Sequence, residues 1–125
     1  MNSLRVAVCD DSMLVRKKLR GSLEDLGVNV VLEASDGAEI IEKLKGTNEI
    51  DILFLDIVMP NKTGIEALEE IKKDDRMKDI NVVMVTSVGT SKHVKEAVKL
   101  GVFDFMQKPV DVNVLKTILQ RVKGE

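Results

Sequence analysis

Five short apolar runs, each closing on polar or charged residues, alternate along this chain with five segments of helical periodicity. The runs are Leu4–Cys9, Val28–Ala34, Asp51–Leu55, Ile80–Val85 and Phe103–Gln107. The third is almost unbroken in large side chains, Ile52-Leu53-Phe54-Leu55. Such a run suits a strand buried on both faces, as in a parallel sheet covered by helices. The alternation predicts an α/β chain, with one five-stranded parallel sheet, right-handed crossovers and helices on both faces.

The helical segments carry their own punctuation. Val15, Leu19, Leu23 and Leu26 recur at helical spacing before Gly27. Ser35-Asp36-Gly37 offers cap chemistry to a helix over Ala38–Lys45, which Gly46 ends. Thr63–Asp75 turns Ile65, Leu68 and Ile71 inward. Ser91–Leu100 reads as a weaker helix closed by Gly101, and Asp111–Lys123 carries the stripe Val114, Leu115, Ile118, Leu119 and Val122.

Parallel strands all point one way, so the residues that end them share one edge. Those residues are Asp10 and Asp11, Asp56, Thr86 and Ser87, and Lys108. Asp56 stands where the central run stops, just before a Met59-Pro60-Asn61-Lys62-Thr63-Gly64 turn. In open α/β sheets, chemistry gathers at that carboxyl edge. Singly, each residue has a plainer use: Asp10 or Asp11 as a helix cap, Asp56 as a turn residue, Thr86 as strand, Lys108 as a solvated side chain. Together they assemble three carboxylates, hydroxyls and one ammonium.

Carboxylates packed this closely repel and raise one another's pKa. A hard divalent cation relieves the repulsion, and an oxygen-only ligand set suits Mg2+. Phosphoryl transfer asks mainly for positioning and charge stabilisation. Asp56 is thus read as a nucleophile that accepts a phosphoryl group. Lys108 would pair with one phosphoryl oxygen, and Thr86 would donate a hydrogen bond to another. The resulting acyl phosphate would hydrolyse in time, as a signal must.

Composition bounds the rest. The chain has 125 residues, 44% hydrophobic and 32% charged, which is enough for one packed domain over 1–125 and excludes a disordered chain. A net charge of −2 gives no bias toward nucleic acid or an anionic membrane. No apolar run reaches membrane-spanning length. A lone Cys9 excludes an internal disulfide and fits a reduced core thiol. A cytoplasmic protein is the expectation.

These residues, Asp10-Asp11, Asp56 with Met59-Pro60 and Gly64, Thr86-Ser87 and Lys108-Pro109, resemble the receiver domains of two-component response regulators, over essentially the whole chain. The resemblance implies a flavodoxin-like (βα)5 fold with strand order 2-1-3-4-5. It implies that Asp56 takes its phosphoryl group from a histidine kinase or histidine phosphotransfer protein. Asp11, Asp56 and the Val58 backbone carbonyl would bind Mg2+ directly, with Asp10 acting mainly through a water. Lys108 would contact the phosphoryl group, next to a cis bond to Pro109. Thr86 and Phe105 would form the switch. The output face would be helix 4, strand 5 and helix 5, about Ser91 to Lys123, binding a protein target. The first helix, with Arg16-Lys17-Lys18-Leu19-Arg20, would border the site and dock the donor. Val58 and Val88 would flank the path of the hydrolytic water and make self-dephosphorylation slow, the only catalysis expected beyond self-catalysed phosphotransfer. A chain that starts with Met and ends soon after its last helix reads as a single-domain regulator, with an excised receiver as the alternative.

Other classes fit less well. A haloacid dehalogenase-type phosphatase needs an Asp two residues after the nucleophile, where this chain has Val58. A flavodoxin-like flavin carrier needs a phosphate loop where the acidic Asp10-Asp11 pair stands. A phosphorylation-independent interaction module would typically have lost the acceptor, the acidic pair or the lysine. His93 reads as a solvated surface residue, and the internal methionines Met13, Met59, Met77, Met84 and Met106 as filler of core and turns.

Overall fold

The structure, a computed structural model, describes residues 4–47, 49–87 and 91–124. In chain order the elements are β1 (Arg5–Cys9), α1 (Met13–Asp25), β2 (Asn29–Ala34), α2 (Gly37–Lys45), β3 (Ile52–Asp56), α3 (Gly64–Lys73), β4 (Asn81–Thr86), α4 (Ser91–Lys99), β5 (Asp104–Gln107) and α5 (Val112–Lys123). The sheet is parallel in every pairing, with order β2-β1-β3-β4-β5. This is the expected flavodoxin-like α/β architecture.

Period-2 alternation divides the core into two layers. Ala7, Cys9, Leu53, Leu55, Val82 and Met84 pack on one face with Ile40, Leu44, Leu68 and Ile71 of α2 and α3. Val6, Val8, Ile52, Phe54, Val83 and Val85 pack on the other with Leu19, Leu23, Leu115 and Ile118 of α1 and α5. Every residue of β3 is buried, so the central strand can present chemistry only at its ends.

Element ends differ from the expected ones by one or two residues, and the caps account for the helix starts. Asp36, Thr63 and Asp111 are extended N-caps whose side chains accept hydrogen bonds from the first turn of α2, α3 and α5. Thr63 and Asp111 therefore precede their helices, and α2 starts at Gly37. In α1 the cap is Ser12, which accepts from Val15 N; neither Asp10 nor Asp11 caps the helix. Both carboxylates are thereby left for other work. Asp56 and Thr86 are the final residues of their strands and still belong to the sheet.

Two smaller expectations are corrected. Met13 is 60% exposed rather than packed, whereas Met59, Met77, Met84 and Met106 are buried. His93 is half-buried, with Nδ1 3.7 Å from Glu96 Oε1.

Candidate functional site

Strand parity assembles the site. Asp56 continues the row Ile52, Phe54, and Asp10 continues the row Val6, Val8, both on the α1/α5 side of the sheet. Lys108 lies two residues past Met106 of that same layer. The pairing of Cys9 with Leu55 carries these ends to a common height.

Asp10 is 2% exposed and Asp56 6%. One carboxylate oxygen from each of Asp10, Asp11 and Asp56 lies within 4.8 Å of the others. Lys108 Nζ donates to Asp10 Oδ2 at 2.7 Å and lies 3.4 Å from Asp56 Oδ2. Asp10 Oδ1 accepts from Ser12 N at 2.9 Å. Asp11 sits at the exposed rim.

The electrostatics follow from that geometry. Burial, and then the charge of Asp10, push Asp56 up to about 6, against the opposing pull of Lys108. Burial alone would lower Lys108, but its bond to Asp10 and the charge of Asp56 outweigh it and hold the ammonium above its ordinary range. The lysine's shorter contact is to Asp10, so Asp56 stays raised beside it. The buried Cys9 thiol is pushed well above its usual range by desolvation and donates to the Asp36 carbonyl at 3.3 Å, on the opposite layer. It takes no part in the pocket.

The loop after Asp56 is tightly drawn. Gly64 N donates to Ile57 O at 2.8 Å, and a Cβ at Gly64 would drive into the Asp56 carbonyl oxygen. Only glycine permits that approach. The loop is clipped to α2 as well: Asn61 Nδ2 donates to Asp36 Oδ2 at 2.7 Å, and Gly37 N to Lys62 O at 3.1 Å. Val58 lies in this loop and is 70% exposed. Val88 lies outside the described residues.

Thr86 is buried at the end of β4, and its carbonyl accepts from Lys108 N at 2.8 Å. Phe105 is half-buried in the middle of β5, paired with Met84 and packed on the α2/α3 layer. The Lys108–Pro109 bond is cis. Asp10, Asp11, Asp56 and Lys108 thus converge as the strand endings indicated, with Thr86 on the neighbouring strand.

One residue escaped the sequence reading. Arg16 sits in the basic run expected to dock the donor, yet its side chain is 16% exposed and its Nη1 donates inward to the Asp10 carbonyl at 2.6 Å. Nothing in the local pattern separates it from Lys17 or Lys18.

The donors suit a hard cation: carboxylates only, with neither imidazole nor thiol among them. A parallel α/β sheet with this acidic pocket and lysine at its carboxyl edge defines a receiver-type signalling domain.

The chain belongs to the response regulator receiver domain family, whose model matches residues 6–120. It is 35% identical over 121 residues to the chemotaxis protein CheY1 of Helicobacter pylori, covering 97% of this chain and 98% of that one. With CheY of Pseudomonas aeruginosa it shares 34% over 125 residues, covering 97% and 100%. Among solved structures, the CheX–CheY–BeF3–Mg2+ complex from Borrelia burgdorferi superposes with a TM-score of 0.89 at 32% identity, covering 96% of this chain and 89% of that one. A CheY-like receiver places this chain in two-component signalling. No helix among the described residues is long and apolar enough to cross a membrane.

Proposed function

We propose that this chain, as one receiver domain over 1–125, is a phosphorylation-activated switch with Asp56 as its acceptor. The observation that carries the reading is the convergence of three carboxylates on one ammonium at the carboxyl edge of the sheet. The donor is the phosphohistidine of a histidine kinase or phosphotransfer protein. An ionised Asp56 oxygen forms the new P–O bond as the donor's P–N bond breaks, and the leaving imidazole takes a proton from solvent. With a pKa of about 6, Asp56 is mostly ionised at neutral pH. Lys108 moves from Asp10 toward a phosphoryl oxygen, and the Thr86 hydroxyl donates to another. Asp11, Asp56 and the Val58 carbonyl, with Asp10 behind a water, would hold Mg2+, which when bound offsets the negative charge of carboxylates and phosphoryl group.

An apolar groove of about 490 Å3 beside Lys108, lined by Leu14, Val15, Leu19, Pro109 and Val110, gives the donor a place to dock. Thr86 and Phe105 pass the change to α4, β5 and α5, where a downstream protein binds. Neither nucleic acid nor membrane is a direct partner, and the setting is the cytoplasm. Hydrolysis at Asp56 is slow, since exposed Val58 cannot hydrogen-bond an attacking water.

The test is incubation with acetyl phosphate and Mg2+. Wild type should gain acid-stable, alkali-labile phosphate, and a folded Asp56→Asn variant none. Equal labelling of both would move the acceptor elsewhere. No labelling of wild type by acetyl phosphate or by any phosphohistidine donor would leave a receiver-like module that signals without phosphorylation.

A further inference from the structure

The two acidic residues of the β1–α1 turn are held very differently. Asp10 is fixed through its amide to Ala34 O at 3.1 Å, through Oδ1 to Ser12 N, and through Oδ2 to Lys108. For the Asp11 carboxylate no hydrogen bond or ion pair is found among the described residues. Its tether among the described residues is the backbone that carries it. The Asp10 carbonyl belongs to the peptide that joins Asp10 to Asp11, and Arg16 Nη1 bonds that oxygen at 2.6 Å.

Arg16 is itself anchored. Its Nε lies 3.6 Å from Glu33 Oε1 on β2. The other Glu33 oxygen is taken by Arg20, which also meets Glu24 at 3.1 Å one turn along α1. A planar guanidinium held at both ends fixes an oxygen more firmly than a mobile ammonium does.

We propose that Arg16 is a positioning residue for the cation site: through the Asp10–Asp11 peptide it orients Asp11 as a Mg2+ ligand. This rests on the functional reading above. Charge and position here have opposite signs, which makes the idea decidable. By charge alone, a guanidinium near three carboxylates repels an incoming cation, so removing it would tighten binding. By position, removing it frees the peptide and weakens binding. Partners behind a metal ligand typically change affinity by about 10–100-fold. Mg2+ demands near-ideal octahedral geometry, whereas Ca2+ tolerates distortion. Lost positioning therefore costs Mg2+ more than Ca2+.

The experiment is calorimetric titration of the full chain with Mg2+ and with Ca2+, because the chain contains no Trp or Tyr for intrinsic fluorescence. Wild type, Arg16→Met and Arg16→Lys are compared, each checked for cooperative unfolding in chelator. The expected result is a Mg2+ Kd about tenfold higher in Arg16→Met, a smaller rise for Ca2+, and an intermediate Mg2+ value for Arg16→Lys. Should Arg16→Met fail to fold, the Mg2+-over-Ca2+ difference in Arg16→Lys decides. Unchanged or tighter Mg2+ binding in the folded variant overturns the proposal, and so does an equal loss for both cations. Wild type that binds neither cation would overturn the functional reading itself, and this proposal with it.

Discussion

The carboxylates at the helix starts and the carboxylate at the sheet edge are displaced in opposite directions. Hydrogen bonds from Ser35 and then from Lys43 draw Glu39 down to about 2. Bonds from Glu39 N and Asn61 lower Asp36, and those from Thr63 lower Glu66. Asp56 is instead raised to about 6, chiefly by burial. The helix-start groups satisfy N–H groups that folding would otherwise leave bare, so their charge supports the fold. Asp56 faces other carboxylates in a place poor in water, so its charge strains the fold until a cation or a phosphoryl group arrives. One region stores stability; the other holds it back for function.

The largest effect should come from emptying the edge of its least anchored ligand. Asp11→Ala is expected to raise the Mg2+ Kd at least about tenfold while barely altering stability in chelator. Magnesium titration with parallel urea unfolding checks both. An unchanged Kd would remove Asp11 from the ligand set and blur the contrast with the helix starts.

The pH dependence sharpens it next. A carboxyl raised in the folded state binds its proton more tightly there than in the unfolded chain. Its stabilising contribution is therefore full below the unfolded value of about 3.9 and lost as pH rises through about 6. The helix-start carboxylates, being depressed, give stability that is present above their unfolded values and lost as pH falls through their lowered folded values. Between pH 7.5 and 5, then, only the edge should respond. Metal-free Asp56→Asn should be more stable than wild type at pH 7.5 by roughly 1–2 kcal/mol, with the gap shrinking at pH 5. Urea midpoints in chelator at the two values measure it. A gap that does not depend on pH would mean Asp56 does not titrate in this window.

How much of this the sequence disclosed depends on whether a contact is local in pattern or only in space. The strands and their polar endings follow from alternation, so Asp10, Asp56 and Lys108 are gathered by the sequence pattern itself. The bond between Lys108 and Asp10 in preference to Asp56 was not legible, because it depends on sub-ångström differences between two strand ends. Ser12 was overlooked as the α1 cap because Asp10 and Asp11 compete for that role on composition, and only backbone geometry chooses among them. Arg16 was hidden because burying it takes Glu33 on another strand, seventeen residues away in the chain.

The smallest effect tests whether the two regions are as separate as their chemistry suggests. Thr63 caps α3 by accepting from Glu66 N at 3.2 Å, and Glu66 Oε1 accepts from Thr63 N at 2.9 Å. Its neighbour Gly64 is the residue pressed against the Asp56 carbonyl. Thr63→Ala deletes the first bond and leaves the second, so Glu66 keeps its backbone donor, the larger source of its lowered pKa. The cost should be about 1 kcal/mol, as for other caps. Gly64 remains tied to Ile57 O at 2.8 Å, and the loop remains clipped to α2 through Asn61 and Lys62. Phosphate labelling and Mg2+ affinity should therefore stay within about twofold of wild type, a shift of ~0.4 kcal/mol. A tenfold loss of either would show that the α3 cap helps to shape the loop carrying Val58, and that stability and function share this turn.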